Sequence, residues 1–132
     1  MTGVQTCALP ICAEADAAHA AALAEAARAR LGEGWLVNGS TEHRYPGNLN
    51  IRRPGLDVAR LMSALRDIAF SAGSACASGS GRASHVLRAL GLSEAEARSS
   101  IRLGFGRYTR KEDLEMAIDR IVAAANGQAA LA

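Results

Sequence analysis

One thiol, Cys76, lies in a run of small residues that spans positions 71–82 and reads SAGSACASGSGR. Its neighbours are too small to screen the sulfur, and three glycines in nine residues cost too much backbone entropy for a regular element. The run therefore predicts a mobile loop that exposes the thiol. A buried structural cysteine, the alternative, would normally lie in an apolar periodic segment, and this run contains no bulky side chain before its final arginine.

The residues after the thiol favour its reactive form. Residues 84–91 predict a short helix with Ser84 as N-cap, which would direct free backbone N–H groups and a positive helix end towards the loop. Arg82 and Arg88 add positive charge. Such surroundings lower the pKa of a cysteine below its free value of about 8.5. Cys76 is therefore the candidate nucleophile, and a phosphate-binding loop is excluded because the GxxxxGK[ST] spacing is absent.

Three segments together resemble the C-terminal part of a cysteine desulfurase, a class V aminotransferase. They are residues 71–80, residues 84–92 (SHVLRALGL) and residues 99–107 (SSIRLGFGR). Their order and spacing are similar to those of the nitrogen-fixation and iron–sulfur-assembly enzymes. Residues 46–51 (PGNLNI) resemble the strand entry that precedes them, and the resemblance extends over residues 13–125.

The resemblance implies removal of sulfur from L-cysteine with pyridoxal phosphate (PLP), giving L-alanine and a persulfide on Cys76. The resemblance also implies that Arg102, in the Ser-Ile-Arg motif, binds the substrate carboxylate. From the residues alone, Arg102 would be interpreted as an ordinary surface arginine. The sulfur would serve iron–sulfur cluster or thio-cofactor assembly through a scaffold or other acceptor protein. A transient iron–sulfur cluster at Cys76 is compatible with this role. The intact enzymes are homodimers.

The sequence departs from the family because the large domain, with its PLP lysine, is absent. Lys111 is the only lysine, between Arg110 and Glu112 in the first turn of the predicted last helix, and no cofactor motif surrounds it. We therefore expect a solvated residue, assign no cofactor-binding residue, and expect a fragment that is inactive alone. Two other functions stay open. In one, Cys76 belongs to a non-enzymatic persulfide carrier or interaction module, and in the other the enzyme is a selenocysteine lyase.

Composition limits the remaining classes of function. The 132 residues suit one domain, and a net charge of +2 implies no bulk attraction to nucleic acid. No apolar run reaches membrane-spanning length and no secretory signal is recognisable, so we expect a cytoplasmic protein. Cys7 and Cys12 form neither a disulfide framework with Cys76 nor a recognisable metal-ligand set.

The chain divides into three parts. Residues 1–12 have neither a helical nor a strand period, have no family counterpart, and resemble translated sequencing-adapter sequence, so we interpret them as a non-native leader. Residues 13–127 form the desulfurase C-terminal small domain, and residues 128–132 are a tail.

The apolar periods and capping residues predict the elements of this domain. The alternation in residues 100–105 places Arg102 on the strand face opposite the core, and Met62 is expected inside the core. Predicted capping boxes are Ser93–Glu96 and Thr109–Glu112, and Asp57 is a predicted N-cap. The pattern predicts helices over 13–31, 57–68, 84–91 and 109–126, a short helix after Ser93, and strands over 35–38, 48–51, 69–71 and 100–105.

These elements predict an α+β domain with a small, antiparallel sheet of three or four strands covered by helices on one side. Similar enzymes use this layout as the small C-terminal domain of a fold-type I PLP enzyme.

Overall fold

A computed structural model of the protein describes residues 3–73 and 84–130, with side chains from residue 12 onward. These ranges contain five helices and four short strands. In chain order they are α1 (Gly3–Leu31), β1 (Leu36–Val37), β2 (Asn48–Arg52), α2 (Val58–Ala64), β3 (Ser71–Ala72), α3 (His85–Ala89), α4 (Glu94–Arg98), β4 (Ser100–Gly104) and α5 (Lys111–Ala129). The predicted α+β class is confirmed.

The four strands form one antiparallel sheet in the order β1-β2-β4-β3. The central strands β2 and β4 pair over their whole length, whereas β1 and β3 are two-residue edge strands. Val37, Ile51, Ile101 and Ala72 are successive cross-strand partners. Because partners in an antiparallel ladder share a face, this row makes one face of the sheet apolar.

Helices α1, α2 and α5 cover this apolar face. Their buried positions recur every three or four residues, as an amphipathic helix on a sheet requires. Each fully buried large side chain contributes roughly 1.5–3 kcal/mol relative to exposure. The core comprises Leu23, Ala27 and Leu31 of α1, Leu49, Ile51, Ile101, Leu103 and Phe105 of the sheet region, Leu56, Val58, Leu61 and Leu65 around α2, and Leu114, Ile118, Ile121 and Ala125 of α5.

Helix α1 begins at Gly3, ten residues before the predicted start at Ala13. The Ala-rich part can form the helix nucleus, and extension from it gains one backbone hydrogen bond per residue without needing an apolar period, except at Pro10, which has no N–H to donate. The non-native origin of residues 1–12 stays a prediction. In the described part of the chain, no helix combines the length and the apolar character needed to cross a membrane.

Helix α2 is shorter than predicted and ends at Ala64 rather than Ile68. Asp57 is its N-cap, as predicted, and accepts a hydrogen bond from the Arg60 backbone N–H at 3.0 Å. The expectation that Met62 lies in the core is wrong, because its side chain is 39% exposed. Leu61 faces the core, and the next residue is rotated about 100° around the helix axis.

The start of α5 differs from the predicted capping box. Arg110 is the N-cap and makes no side-chain capping bond. Thr109, the predicted cap, instead accepts a hydrogen bond from the backbone N–H of Gly106 through Oγ1 at 3.0 Å. The Thr109 hydroxyl closes the preceding turn, so the N-cap of α5 lies one residue later than predicted.

The end of α5 also lies beyond the predicted stop at Asn126–Gly127. The Asn126 amide oxygen accepts from Arg53 Nη1 at 2.7 Å. Two residues further on, Gln128 Oε1 accepts from the Asp57 backbone N–H at 3.0 Å. These contacts tie the last turn to the segment between β2 and α2, so the helix continues to Ala129 despite the glycine.

Gly47 sets the start of β2 against the end of β4, and an added side chain should disrupt this contact. Its carbonyl accepts from the Phe105 N–H at 3.0 Å, and a Cβ at this position would lie 2.6 Å from the Phe105 oxygen. We expect Gly47→Ala to lower the free energy of unfolding by about 1–3 kcal/mol in urea titrations. Gly104→Ala is the control, since its Cβ would meet no atom within 4 Å. Equal midpoints for both variants would contradict this packing.

Candidate functional site

The sheet face opposite the helices carries a polar row that crosses all four strands. Asn38 follows β1, and its N–H donates to the Asn50 carbonyl at 2.9 Å. Asn50 is the cross-strand partner of Arg102, and Arg102 is in turn the partner of Ser71. These four side chains therefore share one face, and we call them the polar row.

Arg102 occupies the middle of the polar row. It lies away from the core face, as the strand alternation predicted, and is half-buried. It forms no ion pair with any carboxylate of the described residues. A planar guanidinium with available donors can bind a carboxylate through two parallel hydrogen bonds.

A network of hydrogen bonds fixes one end of the polar row. Asn38 is only 5% exposed, and its Nδ2 donates to Asn50 Oδ1 at 2.7 Å and to Ser100 Oγ at 3.0 Å. Its Oδ1 accepts from Arg52 Nη1 at 2.6 Å. The Asn50 oxygen is thereby engaged, so its NH2 group points away from Asn38 and makes a long contact of 3.5 Å with the Gly73 carbonyl.

The two ends of the segment that carries the predicted nucleophile adjoin α3. The Gly73 N–H donates to the Ser100 carbonyl at 2.9 Å, and a Cβ on Gly73 would lie 2.7 Å from Leu87 Cδ1. Ser84 is buried and caps α3, as predicted, by accepting from the Leu87 N–H at 3.3 Å. Cys76 itself lies in residues 74–83, outside the described residues, and its role stays a prediction.

A cleft of about 250 Å³ lies between the polar face of the sheet and α3. Its floor carries three asparagine side chains, and its wall is apolar, with Val86 56% and Leu90 52% exposed. Asn50 connects the cleft to Arg102. This combination suits a small molecule with one charged end and one less polar end. The lining residues are Asn38, Gly39, Ser40, His43, Arg44, Asn48, Asn50, Val86, Leu87 and Leu90.

The second predicted capping box, Ser93–Glu96, is present and connects α4 to the network. Glu96 Oε2 accepts from the Ser93 backbone N–H and from Ser93 Oγ, both at 2.8 Å. Its Oε1 lies 3.5 Å from Arg52 Nε. The hydrogen bonds from Ser93, backbone first, together with the charge of Arg52 hold the pKa of Glu96 below its ordinary value.

The register of the sheet brings together residues whose mutual contact no motif indicated. Asn38, Asn50 and Ser100 converge on one network, although they come from three separate segments. The alternation of polar and apolar residues in β2 (NLNIR) is the one sequence signal for their shared face. That signal identifies a polar side but does not identify the partner strands.

The only lysine does not provide a site for PLP. Lys111 begins α5, its side chain is 64% exposed, and its Nζ lies 3.7 Å from Glu115 Oε1. A cofactor lysine would need an enclosed position, so the residues present do not fit a Schiff base. Among the described side chains, those of residues 12–73 and 84–130, no three of His, Cys, Asp or Glu converge as a metal site would require.

The lowered pKa of Glu96 predicts a pH-dependent stability. In the unfolded state Glu96 binds a proton at a higher pH than in the folded state. The contribution of the Glu96 carboxylate to the free energy of unfolding is therefore present above about pH 4.3 and is lost as the pH falls through the pKa of the folded state. We expect Glu96→Gln to flatten the decline of the urea midpoint between about pH 5 and pH 3. Glu94→Gln, which removes only an exposed pair with Arg98, is the control. An unchanged profile in Glu96→Gln would contradict the capping role.

Comparison with known proteins gives consistent matches. Residues 8–116 match the family model "Aminotransferase class-V". Among curated relatives, the cysteine desulfurase IscS of Colwellia psychrerythraea is 45% identical over 108 residues, which cover 80% of this chain and 27% of the relative. The cysteine desulfurase IscS of Tolumonas auensis is 54% identical over 86 residues, covering 65% of this chain and 21% of the relative.

A solved structure shares the fold. The NifS-like protein from Rickettsia africae superposes with a TM-score of 0.69 at 25% identity, over 84% of this chain and 29% of that protein. The chain thus spans between about a fifth and a quarter of the length of the curated relatives that it matches. Because the family model matches most of its residues, the chain belongs to the class-V aminotransferase family.

Proposed function

We propose that this chain is the part of a cysteine desulfurase that binds the substrate carboxylate and receives the sulfur. The observation that carries the proposal is the place of Arg102, half-buried on the polar face and paired with Ser71. Ser71 lies five residues before Cys76 in the sequence. The similarity to two desulfurases supports L-cysteine as the substrate and L-alanine as the product.

Sulfur transfer in this reaction needs no external oxidant. The Cys76 thiolate attacks the sulfur of L-cysteine, an S–S bond forms, and the substrate C–S bond breaks with its electron pair left on carbon. A proton then completes the methyl group of L-alanine, and the protein retains a persulfide. In the intact enzyme PLP supplies the electron sink for this cleavage. In this proposal the chain contributes the sulfur acceptor and the carboxylate site. The cofactor lysine comes from the rest of the intact enzyme, because Lys111 is unsuited to hold the cofactor.

Arg102 orients the substrate in this proposal. A bidentate pair with the carboxylate fixes two atoms of the amino acid and so directs the rest of it along the polar face. Half-burial strengthens the pair by excluding part of the solvent. Arg102 has no carboxylate of the described residues to displace, so the guanidinium can bind the substrate directly.

The persulfide would pass its sulfur to an iron–sulfur scaffold or another acceptor protein, and the intact enzyme would be a homodimer. A transient iron–sulfur cluster at Cys76 belongs to the same proposal. Val86 on α3 and Leu90, the residue that follows the helix, are both exposed shortly after the Cys76 segment and support an acceptor that covers apolar surface.

The proposal is tested by joining the full chain to the part of the Colwellia relative that precedes the matched region. We expect this fusion, loaded with PLP, to release L-alanine from L-cysteine. Cys76→Ser should reduce release to background because no thiolate accepts the sulfur. Arg102→Gln should raise the KM about tenfold, since a charged hydrogen-bond partner is lost.

The matched control for the arginine is Arg60→Gln, an exposed residue of α2 in the helical layer, which should leave the KM unchanged. A folded, PLP-loaded fusion that releases no alanine would overturn the proposal, as would full activity in Cys76→Ser. L-Selenocysteine in the same assay separates a selenocysteine lyase from a cysteine desulfurase.

The chain alone, supplied with PLP and L-cysteine, is expected to release no alanine above the buffer rate. The reason is that Lys111 is exposed, so a cofactor bound to it would not be enclosed by the protein. Lys111→Ala should therefore make no difference to alanine release or to PLP absorbance. Alanine release that Lys111→Ala abolishes would contradict this assignment and would place the cofactor on α5.

A further inference from the structure

We propose that Asn50 and Ser71 complete the carboxylate site around Arg102, the first through its amide NH2 and the second through its hydroxyl. The inference rests on the proposed function, in which an amino-acid carboxylate is the ligand of Arg102. It assigns two further binding residues, one on each strand that flanks β4.

The sheet register places both residues beside Arg102. Arg102 pairs with Asn50 on β2 and with Ser71 on β3. Directly opposed residues in an antiparallel ladder have Cβ atoms about 4.5–5.5 Å apart and point to the same face. All three residues are half-buried, so a ligand can reach them from one side of the sheet.

The surrounding network presents Asn50 as a donor. Its oxygen already accepts from buried Asn38, whose own oxygen is engaged by Arg52. The Asn50 NH2 therefore faces the other way, and its one described contact, with the Gly73 carbonyl, is long at 3.5 Å. An amide N–H held beside an arginine is suited to an anionic oxygen and unsuited to a cation.

Ser71 gives the site a connection to the sulfur acceptor. It lies on β3, which leads through Gly73 into the segment with Cys76. A carboxylate held by Arg102, Asn50 and Ser71 contacts β2, β4 and β3 at once. Binding of substrate would thus fix the strand that precedes the nucleophile, which a site made of Arg102 alone would not do.

A purely structural role for Asn50 is the competing explanation, because the residue also contacts Gly73. The two roles differ in kinetics. A structural defect lowers stability and alters turnover, whereas a lost carboxylate donor raises the KM while the kcat stays nearly constant. Asn50→Asp keeps the side-chain shape and the oxygen that accepts from Asn38, but it removes the NH2 donor and adds a negative charge next to Arg102.

The test measures KM and kcat for L-cysteine in the fusion described above. We expect Asn50→Asp to raise the KM about tenfold or more, and Ser71→Ala to raise it about threefold, both with a kcat within about twofold of the parent. Asn126→Asp is the matched control, since Asn126 also contacts an arginine, Arg53, but lies on α5 in the helical layer. It introduces the same charge next to a guanidinium away from the polar face, and we expect a KM change of about twofold at most.

A second measurement uses the full chain alone. In a titration with L-alanine followed by NMR, the side-chain NH2 signals of Asn50 and the Nε–H signal of Arg102 should shift together, and the side-chain NH2 signals of Asn126 should not. Urea midpoints of the variants show whether each is folded.

The outcomes separate the two proposals. If Arg102→Gln raises the KM and Asn50→Asp behaves like Asn126→Asp, the inference is overturned and the proposed function stands. If Arg102→Gln leaves the KM unchanged, the carboxylate site itself is wrong and both fail. Stationary Asn50 signals during a titration that shifts Arg102 would likewise overturn the role of Asn50.

Discussion

The register between β2 and β4 is the constraint on which the rest of the molecule depends. It pairs Ile51 with Ile101 on one face and Asn50 with Arg102 on the other. A slip of one residue would turn every side chain of one strand to the opposite face, which would bury an asparagine or an arginine against the helices. The apolar core and the polar row are therefore consequences of the same ladder. A substitution that shifts the register of β2 and β4 would therefore change both the stability of the fold and the arrangement of the candidate site.

The second constraint is the satisfaction of polar groups at the rim of this face. Asn38 is buried, and it is tolerated because its amide has partners on both its nitrogen and its oxygen. Arg52 also forms an ion pair with Glu96, which the capping box of α4 holds in turn. A helix terminus, an edge strand and the central strands thereby meet in one polar cluster of hydrogen bonds and an ion pair. Arg52 contacts both the carboxylate that caps α4 and the amide that orients Asn50.

Much of this arrangement was accessible from the sequence, because it depends on local signals. The caps at Asp57, Ser84 and Ser93 and the strand around Arg102 follow from short-range rules of hydrogen bonding and alternation. The predicted start of α5 was wrong because two local hydrogen bonds compete for Thr109, whose hydroxyl bonds to Gly106 rather than to the helix. The predicted end was wrong because a distant contact decides it, since Asn126 bonds to Arg53, which lies 73 residues earlier in the chain. The polar row was inaccessible for the same reason, since Asn38, Asn50 and Ser71 become neighbours only through the sheet register. The resemblance indicated Arg102 as a residue, but it did not indicate what flanks it.

The unequal lengths of the strands give the sheet an uneven resistance to local opening. Five residue pairs join β2 to β4, whereas two join β3 to β4. The free energy of opening rises with the number of hydrogen bonds and buried contacts that must break together, so β3 can detach while the central pair stays intact. Arg102 and Asn50 would then remain in place as Ser71 departs. Ligand exchange would thus need only a local, low-energy event at the sheet edge, decoupled from global unfolding.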